Sequence, residues 1–146
     1  MEKFTENFEF NNNFSRNLAV FCSDERFVNA TISFLKNIVG ISKFDLISIP
    51  GGPAFIPQNE SVLMEHIELL VEEHKILSIM LISHKDCGYY KKKYKDLPEK
   101  EMLKQQLSDI EQAVLKLRNL YPELLISAYY AGIEESKIIF KELYFN

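Results

Sequence analysis

No apolar run in this 146-residue chain approaches the roughly twenty residues that span a bilayer. Its first stretch, Met1 to Phe14, carries acidic residues and asparagines where a secretory signal would have a cationic start and an unbroken apolar core. Neither a membrane partner nor a signal peptide is therefore expected. Basic charge is also not in excess: 17 Lys and Arg stand against 21 Asp and Glu, a formal net charge of -4. Phosphate binding needs clustered Lys or Arg, so nucleic acid is not an expected partner. The one basic cluster, Lys91-Lys92-Lys93 with Lys95, sits among tyrosines and reads as a solvated loop or helix face. Several catalytic signatures are missing as well. There is no Gly-x-Gly-x-x-Gly after the first apolar run and no Gly-x-Ser-x-Gly elbow, and a Cys-x5-Arg phosphate loop would need arginine where Val28 stands. Internal repeats, low-complexity tracts and dividing linkers are absent too.

Cysteine is scarce, with only Cys22 and Cys87 in the chain. One disulfide is conceivable, but a chain of this length, about half apolar, can bury a core without staples. In a reducing compartment, metal ligation is the competing use of paired thiols. The cysteines occur in Cys22-Ser23-Asp24-Glu25-Arg26 and His84-Lys85-Asp86-Cys87-Gly88. Two thiolates and one imidazole suit a zinc ion and leave a fourth tetrahedral position for water or a carboxylate, which is the catalytic pattern and not the closed structural one. Cytoplasmic residence is the default expectation.

The chain reads as alternating strands and helices. Asn17 to Cys22 is a continuous apolar run suited to a central strand, and Asp24 is a natural N-cap for a helix whose face is marked by Val28, Ile32, Leu35 and Ile38, stopping at Gly40. A second strand, Phe44 to Ile49, ends in the breaker cluster Pro50-Gly51-Gly52-Pro53. Leu63, Ile67, Leu70 and Val71 mark a second helix ending near His74. Ile76 to Ile82 is a third strand that delivers the His84 motif at its end. Tyr89 to Glu99 reads as irregular or briefly helical, and Leu103, Leu107, Ile110, Val114 and Leu117 mark a long helix closed by Pro122. Leu124 to Tyr130 is a fourth strand, Gly132 to Ser136 a turn, and Lys137 to Phe140 a short returning strand. The expected fold class is α/β: four parallel strands plus a short antiparallel edge strand, with helices on both faces. Residues 1–16 are expected as an arm or short helix, and 17–146 as one zinc-binding domain. His66 and His74 read as surface or core-edge residues, Tyr89, Tyr90 and Tyr94 as packing or interface residues, and Lys85 and Asp86 are assigned no role.

These two motifs resemble the hallmark of the β-class carbonic anhydrases, Cys-x-Asp-x-Arg after the first strand and His-x-x-Cys-Gly after the third. The resemblance covers roughly Asn17 to Phe140. It implies zinc held by Cys22, His84 and Cys87, an Asp24–Arg26 dyad that orients a zinc-bound hydroxide, and reversible hydration of carbon dioxide to bicarbonate. It also places Gly51, Gly52 and Gly88 beside the substrate and implies a homodimer or higher oligomer. Two departures stand out: Ile49-Pro50-Gly51-Gly52-Pro53-Ala54 replaces the family's usual turn, and Ser83 replaces a glycine before the histidine. They leave two alternatives open: a zinc-binding module without hydration activity, or a zinc hydrolase of a small carbon dioxide analogue.

Overall fold

Four strands, β1 (Asn17–Cys22), β2 (Asp45–Ile49), β3 (Ser78–His84) and β4 (Leu125–Glu134), run parallel, and β5 (Lys137–Leu143) returns antiparallel along β4. The computed structural model describes residues 1–146 and orders the sheet β2-β1-β3-β4-β5. Successive side chains on a strand point to opposite faces. Leu18, Val20, Ile79, Leu81, Ile126 and Ala128 therefore form one face, and Ala19, Phe21, Met80, Ile82 and Tyr129 the other. Helices α2 (Ser61–Glu73) and α4 (Glu99–Leu120) cover the first face through Ile67, Ile110, Ala113, Val114 and Leu117. The second face is covered by α1 (Glu25–Phe34) and the wide helical turn Leu35–Val39, with Leu35 buried and Val28 and Phe34 beside it. The expected α/β architecture is the one observed.

Several boundaries differ from the sequence reading. The run Ile76 to Ile82 continues as strand to His84, because pairing with β4 persists through Ser83↔Tyr130 and His84↔Ala131. His84 is thus the last residue of β3 and not part of the loop after it. The final hairpin is also longer, with β5 reaching Leu143 and the turn reduced to Glu135-Ser136. Both turn residues have positive φ (47° and 63°), as a two-residue hairpin connection requires. Between β3 and α4, the segment at Tyr89 forms a short helix, α3 (Gly88–Lys93).

The buried face of α1 is only partly the one expected, with Leu35 buried and Val28 packed beside it. Phe27, Thr31 and Leu35 are buried, whereas Ile32 is 39% and Ile38 75% exposed. Thr31 can be buried because its hydroxyl donates to the Phe27 carbonyl at 2.9 Å, leaving no polar group unpaired. Beyond Phe34 the helix widens, which rotates Ile38 outward. Residues 1–16 form neither helix nor strand; Phe4, Phe8 and Phe10 are exposed, and Phe14 stacks on His74 at 3.9 Å. His74 Nδ1 in turn lies 2.7 Å from Asp45 Oδ2. No helix is long and apolar enough to cross a membrane.

The corrected face predicts a contrast in urea unfolding. Leu35→Ala should cost about 2–5 kcal/mol through a core cavity, and Ile38→Ala no more than about 0.5 kcal/mol. Equal losses would restore the expected face.

Candidate metal centre

Parallel pairing of β1 with β3, with Phe21 opposite Ile82, brings the ends of both strands to one edge of the sheet. In open α/β sheets that carboxyl edge is where ligands bind. Cys22 ends β1 and His84 ends β3. The chain then turns through Lys85 and Asp86, the latter with φ 63°, and Cys87 arrives as the N-cap residue of α3. All three side chains are buried, and their ligating atoms lie within 4.8 Å of one another. The two sulfurs are 4.0 Å apart. A tetrahedral zinc with bonds of about 2.3 Å to sulfur would separate them by roughly 3.8 Å.

Local chemistry suits a cation. The Nδ1–H of His84 donates to the Lys85 carbonyl at 2.7 Å, which leaves Nε2 with its lone pair free. That Nε2 is buried and has no hydrogen-bond partner. An unpaired buried acceptor costs free energy unless something occupies it. The backbone N–H groups of Asp24 and Gly51 near Cys22, and those of Tyr90 and Tyr89 near Cys87, pull the thiol pKa values down and so favour thiolates. Without a cation, a hydrogen bond from the Cys87 thiol pulls the Cys22 pKa down, while that bond, burial and the neighbouring negative charge push Cys87 up. The three residues therefore fit a zinc ion.

Beside this cluster, Asp24 caps α1 by accepting from the Arg26 N–H at 3.0 Å. The Arg26 guanidinium also grips the carboxylate: Nε donates to Oδ1 at 3.0 Å and Nη2 to Oδ2 at 2.6 Å. Hydrogen bonds and charge from Arg26 hold Asp24 down at about 2. Capping and pairing are thus both real, and one does not exclude the other. What the sequence reading left unassigned is the far side of the arginine. Asp86 Oδ2 accepts from Nη1 at 2.9 Å and its carbonyl from Nη2 at 3.2 Å, while Lys91 pairs with the other carboxylate oxygen. Lys91 and Arg26 together hold Asp86 below the usual carboxylate range. Signs alternate along Asp24, Arg26, Asp86 and Lys91.

The turn after β2 closes one wall. Gly52 has φ 54°, and a Cβ there would lie 2.8 Å from the Cys22 nitrogen and 3.1 Å from the Phe21 carbonyl carbon. Gly51, φ 88°, lies under the Tyr89 ring, where a Cβ would be 2.7 Å from Cγ. Gly88 differs: it is exposed, and a Cβ there meets nothing within 4 Å. Behind the cysteines, Tyr90 packs with Cys22, Cys87 and Ala54 and donates its hydroxyl to Asp109 at 2.7 Å. Gln106 donates to the His84 carbonyl at 3.0 Å. Neither Gln106 nor Asp109 was singled out by the sequence pattern. A cavity of about 840 Å³ borders the outer side of the Lys85-Asp86 turn, with Gln106 and Tyr130 in its wall.

With this geometry, the family assignment follows. The family model described as "Putative carbonic anhydrase" matches residues 12–139. The chain belongs to that family. It shares 25% identity over 125 residues with an uncharacterized protein of Rickettsia bellii, covering 80% of this chain and 76% of that one. Among solved structures it is similar to a β-carbonic anhydrase of Trichomonas vaginalis, with 15% identity, a TM-score of 0.60, and coverage of 92% of this chain and 87% of that one. It is likewise similar to tetrameric β-carbonic anhydrases of Sordaria macrospora, with 16% identity, a TM-score of 0.60, and coverage of 90% and 81%. At those identities, the structural likeness establishes the carbonic anhydrase fold alone.

The two kinds of glycine should behave differently. Gly52→Ala drives a methyl into the β1 backbone and should destabilise the protein by about 1–3 kcal/mol. Gly88→Ala should unfold at the parent's urea midpoint, and a matching loss there would refute the open side of the centre.

Proposed function

We propose that this protein is a zinc-dependent carbonic anhydrase of the β class, interconverting carbon dioxide and bicarbonate. The observation that carries this reading is the buried, partnerless Nε2 of His84, grouped with two sulfurs 4.0 Å apart. Family membership and the adjoining Asp24–Arg26 pair support it. Cys22, His84 and Cys87 would hold the zinc. When bound with an open position, the ion supplies a strong nucleophile from water near neutral pH.

The chain's own residues do the rest. Asp24 is an acceptor only, because Arg26 keeps it ionised. Its carboxylate takes the hydrogen bond of the attacking O–H group and so turns a lone pair toward carbon dioxide. A depressed carboxylate pKa of about 2 means that Asp24 changes state only as pH falls toward that value, far below neutrality. Loss of rate on the acid side of pH 7 therefore belongs to another group. Arg26 fixes the direction of Asp24, and Asp86 with Lys91 fixes Arg26 from behind. Substrate would approach over Gly88, on the side left open, against the wall that the buried Gly51-Gly52 turn forms.

Assembly with further copies of this chain is part of the reading. The exposed Phe4, Phe8 and Phe10 form an aromatic arm that needs cover, and tetrameric relatives share the fold. A reducing cytoplasm would keep both thiols available for zinc.

The direct test is stopped-flow hydration on protein of measured zinc content, from about pH 6.5 to 9. About one zinc per chain, lost in Cys22→Ser and Cys87→Ser, and a rate rising with pH are expected. Full zinc with no rate at any pH would instead leave a non-hydrating zinc module or a different small substrate.

Within that assay, Asp24→Asn should retain zinc and lose at least about 100-fold in rate, the scale of a lost preorganised group. Asp86→Asn keeps a residue that tolerates positive φ and removes only the second carboxylate. It should lower the rate about 10-fold with zinc content unchanged; a parental rate would detach Asp86 from the dyad.

A further inference from the structure

The buried face of α4 changes character along its length. Toward its C-terminal end it presents Ile110, Ala113, Val114 and Leu117, all buried against the sheet. One turn earlier the buried residues are Gln106 and Asp109, 4% and 7% exposed. Burying an amide and a carboxyl group costs free energy that a leucine would not. Their contacts show what they hold. Gln106 Nε2 donates to the His84 carbonyl at 3.0 Å. The same peptide unit is held at its other end by the Lys85 N–H donating to the Ala131 carbonyl at 2.8 Å. With that peptide plane fixed, the next carbonyl, of Lys85, is aimed at His84 Nδ1. Asp109 accepts from Tyr90 at 2.7 Å and from Gln105 at 2.8 Å. Tyr90 is 2% exposed, lies in one buried cluster with both cysteines, and follows the N-cap Cys87 by three residues in α3.

Resting on the zinc reading above, we infer that Gln106 and Asp109 form a two-point brace on α4 that positions the second motif for metal. Gln106 sets the orientation of the His84 ring through the 84–85 peptide, and Asp109 sets the place of Cys87 through Tyr90. These are positioning residues: neither touches the ion. The two arms leave one helix three residues apart and reach opposite ends of the segment from His84 to Tyr90. Removing a partner that orients a metal ligand typically weakens metal affinity by 10–100-fold.

The test is zinc affinity of the full chain, measured by competition with a chromophoric chelator, together with the sulfur-to-metal charge-transfer band of the cobalt-substituted protein. Tyr90→Phe, Asp109→Asn and Gln106→Leu should each bind zinc at least about 10-fold more weakly and shift the cobalt band. Tyr90→Phe and Asp109→Asn break the same arm, so their double variant should be no weaker than the weaker single one. Tyr90→Phe combined with Gln106→Leu should multiply the losses. Zinc affinities within about two-fold of the parent in Tyr90→Phe and Gln106→Leu would overturn the brace. So would weaker binding with an unchanged cobalt band and an equal drop in urea stability of metal-free and zinc-loaded protein, which marks a packing role. If Asp109→Asn does not fold, Tyr90→Phe, which deletes one oxygen, decides alone. A parent chain that binds no zinc would instead remove the metal reading itself, before any variant is compared.

Discussion

Parallel pairing of β1 with β3 is the constraint on which the rest of the structure depends. Cys22 and Cys87 lie far apart in sequence, and neither has chemistry of note until the two strands lie side by side and finish at one edge. The pairing is itself secured by burial on both faces, with Leu18 and Val20 turned toward α2 and α4, and Ala19 and Phe21 toward α1. Hydrophobic association therefore determines where the sulfurs meet, and the polar groups only refine it. Even the turn after β2 answers to this pairing. Gly52 passes so close to the Cys22 nitrogen that no other residue fits without displacing the β1 backbone.

Charge at the edge is arranged in a way that follows from that geometry. Two thiols and Asp24 place up to three negative charges near one another, a crowd that is unfavourable unless cations are supplied. Arg26 and Lys91 supply two on the exposed side, alternating with Asp24 and Asp86. Exposed ion pairs contribute little to stability. Their value here is directional: a planar guanidinium gripped from two sides holds a carboxylate at one angle. The buried side has no such cation within its cluster. There, the unpaired Nε2 of His84 and the two sulfurs are what a divalent ion would satisfy together.

The features legible in the sequence were those written as local pattern. Continuous apolar runs gave the buried strands, and thiol and imidazole spacing gave the Cys22, His84 and Cys87 cluster, because a ligand set is a chemical requirement visible in residue types. What escaped depended on long-range contact. On α1 the apolar pattern marks Leu35 correctly and misses Phe27 and Thr31, since a buried threonine carries no apolar signal and the widening after Phe34, which exposes Ile38, has no local signature. Asp86 has no role assignable from its neighbours in sequence; only the fold sets it against Arg26, sixty residues away. Gln106 and Asp109 were hidden by the same logic, because polar residues within a helical pattern are read as facing solvent. The ends of β3 and β4 ran past their apolar stretches because ladder hydrogen bonds do not require apolar side chains.

The second motif shows why those hidden residues matter. From His84 to Cys87 the chain leaves a strand, passes through Asp86 in a left-handed conformation, and enters a helix of six residues too short to be stiff by itself. Its local contacts, His84 to the Lys85 carbonyl and Asp86 to Lys91, do not tie it to the rest of the fold. It is held from three directions: by Ala131 of β4 at the Lys85 N–H, by Gln106 of α4 at the His84 carbonyl, and by Arg26 of α1 at Asp86. Each comes from a different element, so the position of two of the three candidate ligands is a property of the assembled sheet and its helices. A fragment carrying the two motifs would keep the ligand types and lose the arrangement. The same dependence explains why α4 gives up two buried positions to polar groups: its apolar half secures the helix to the sheet, and its polar turn uses that rigidity where the chain has none of its own.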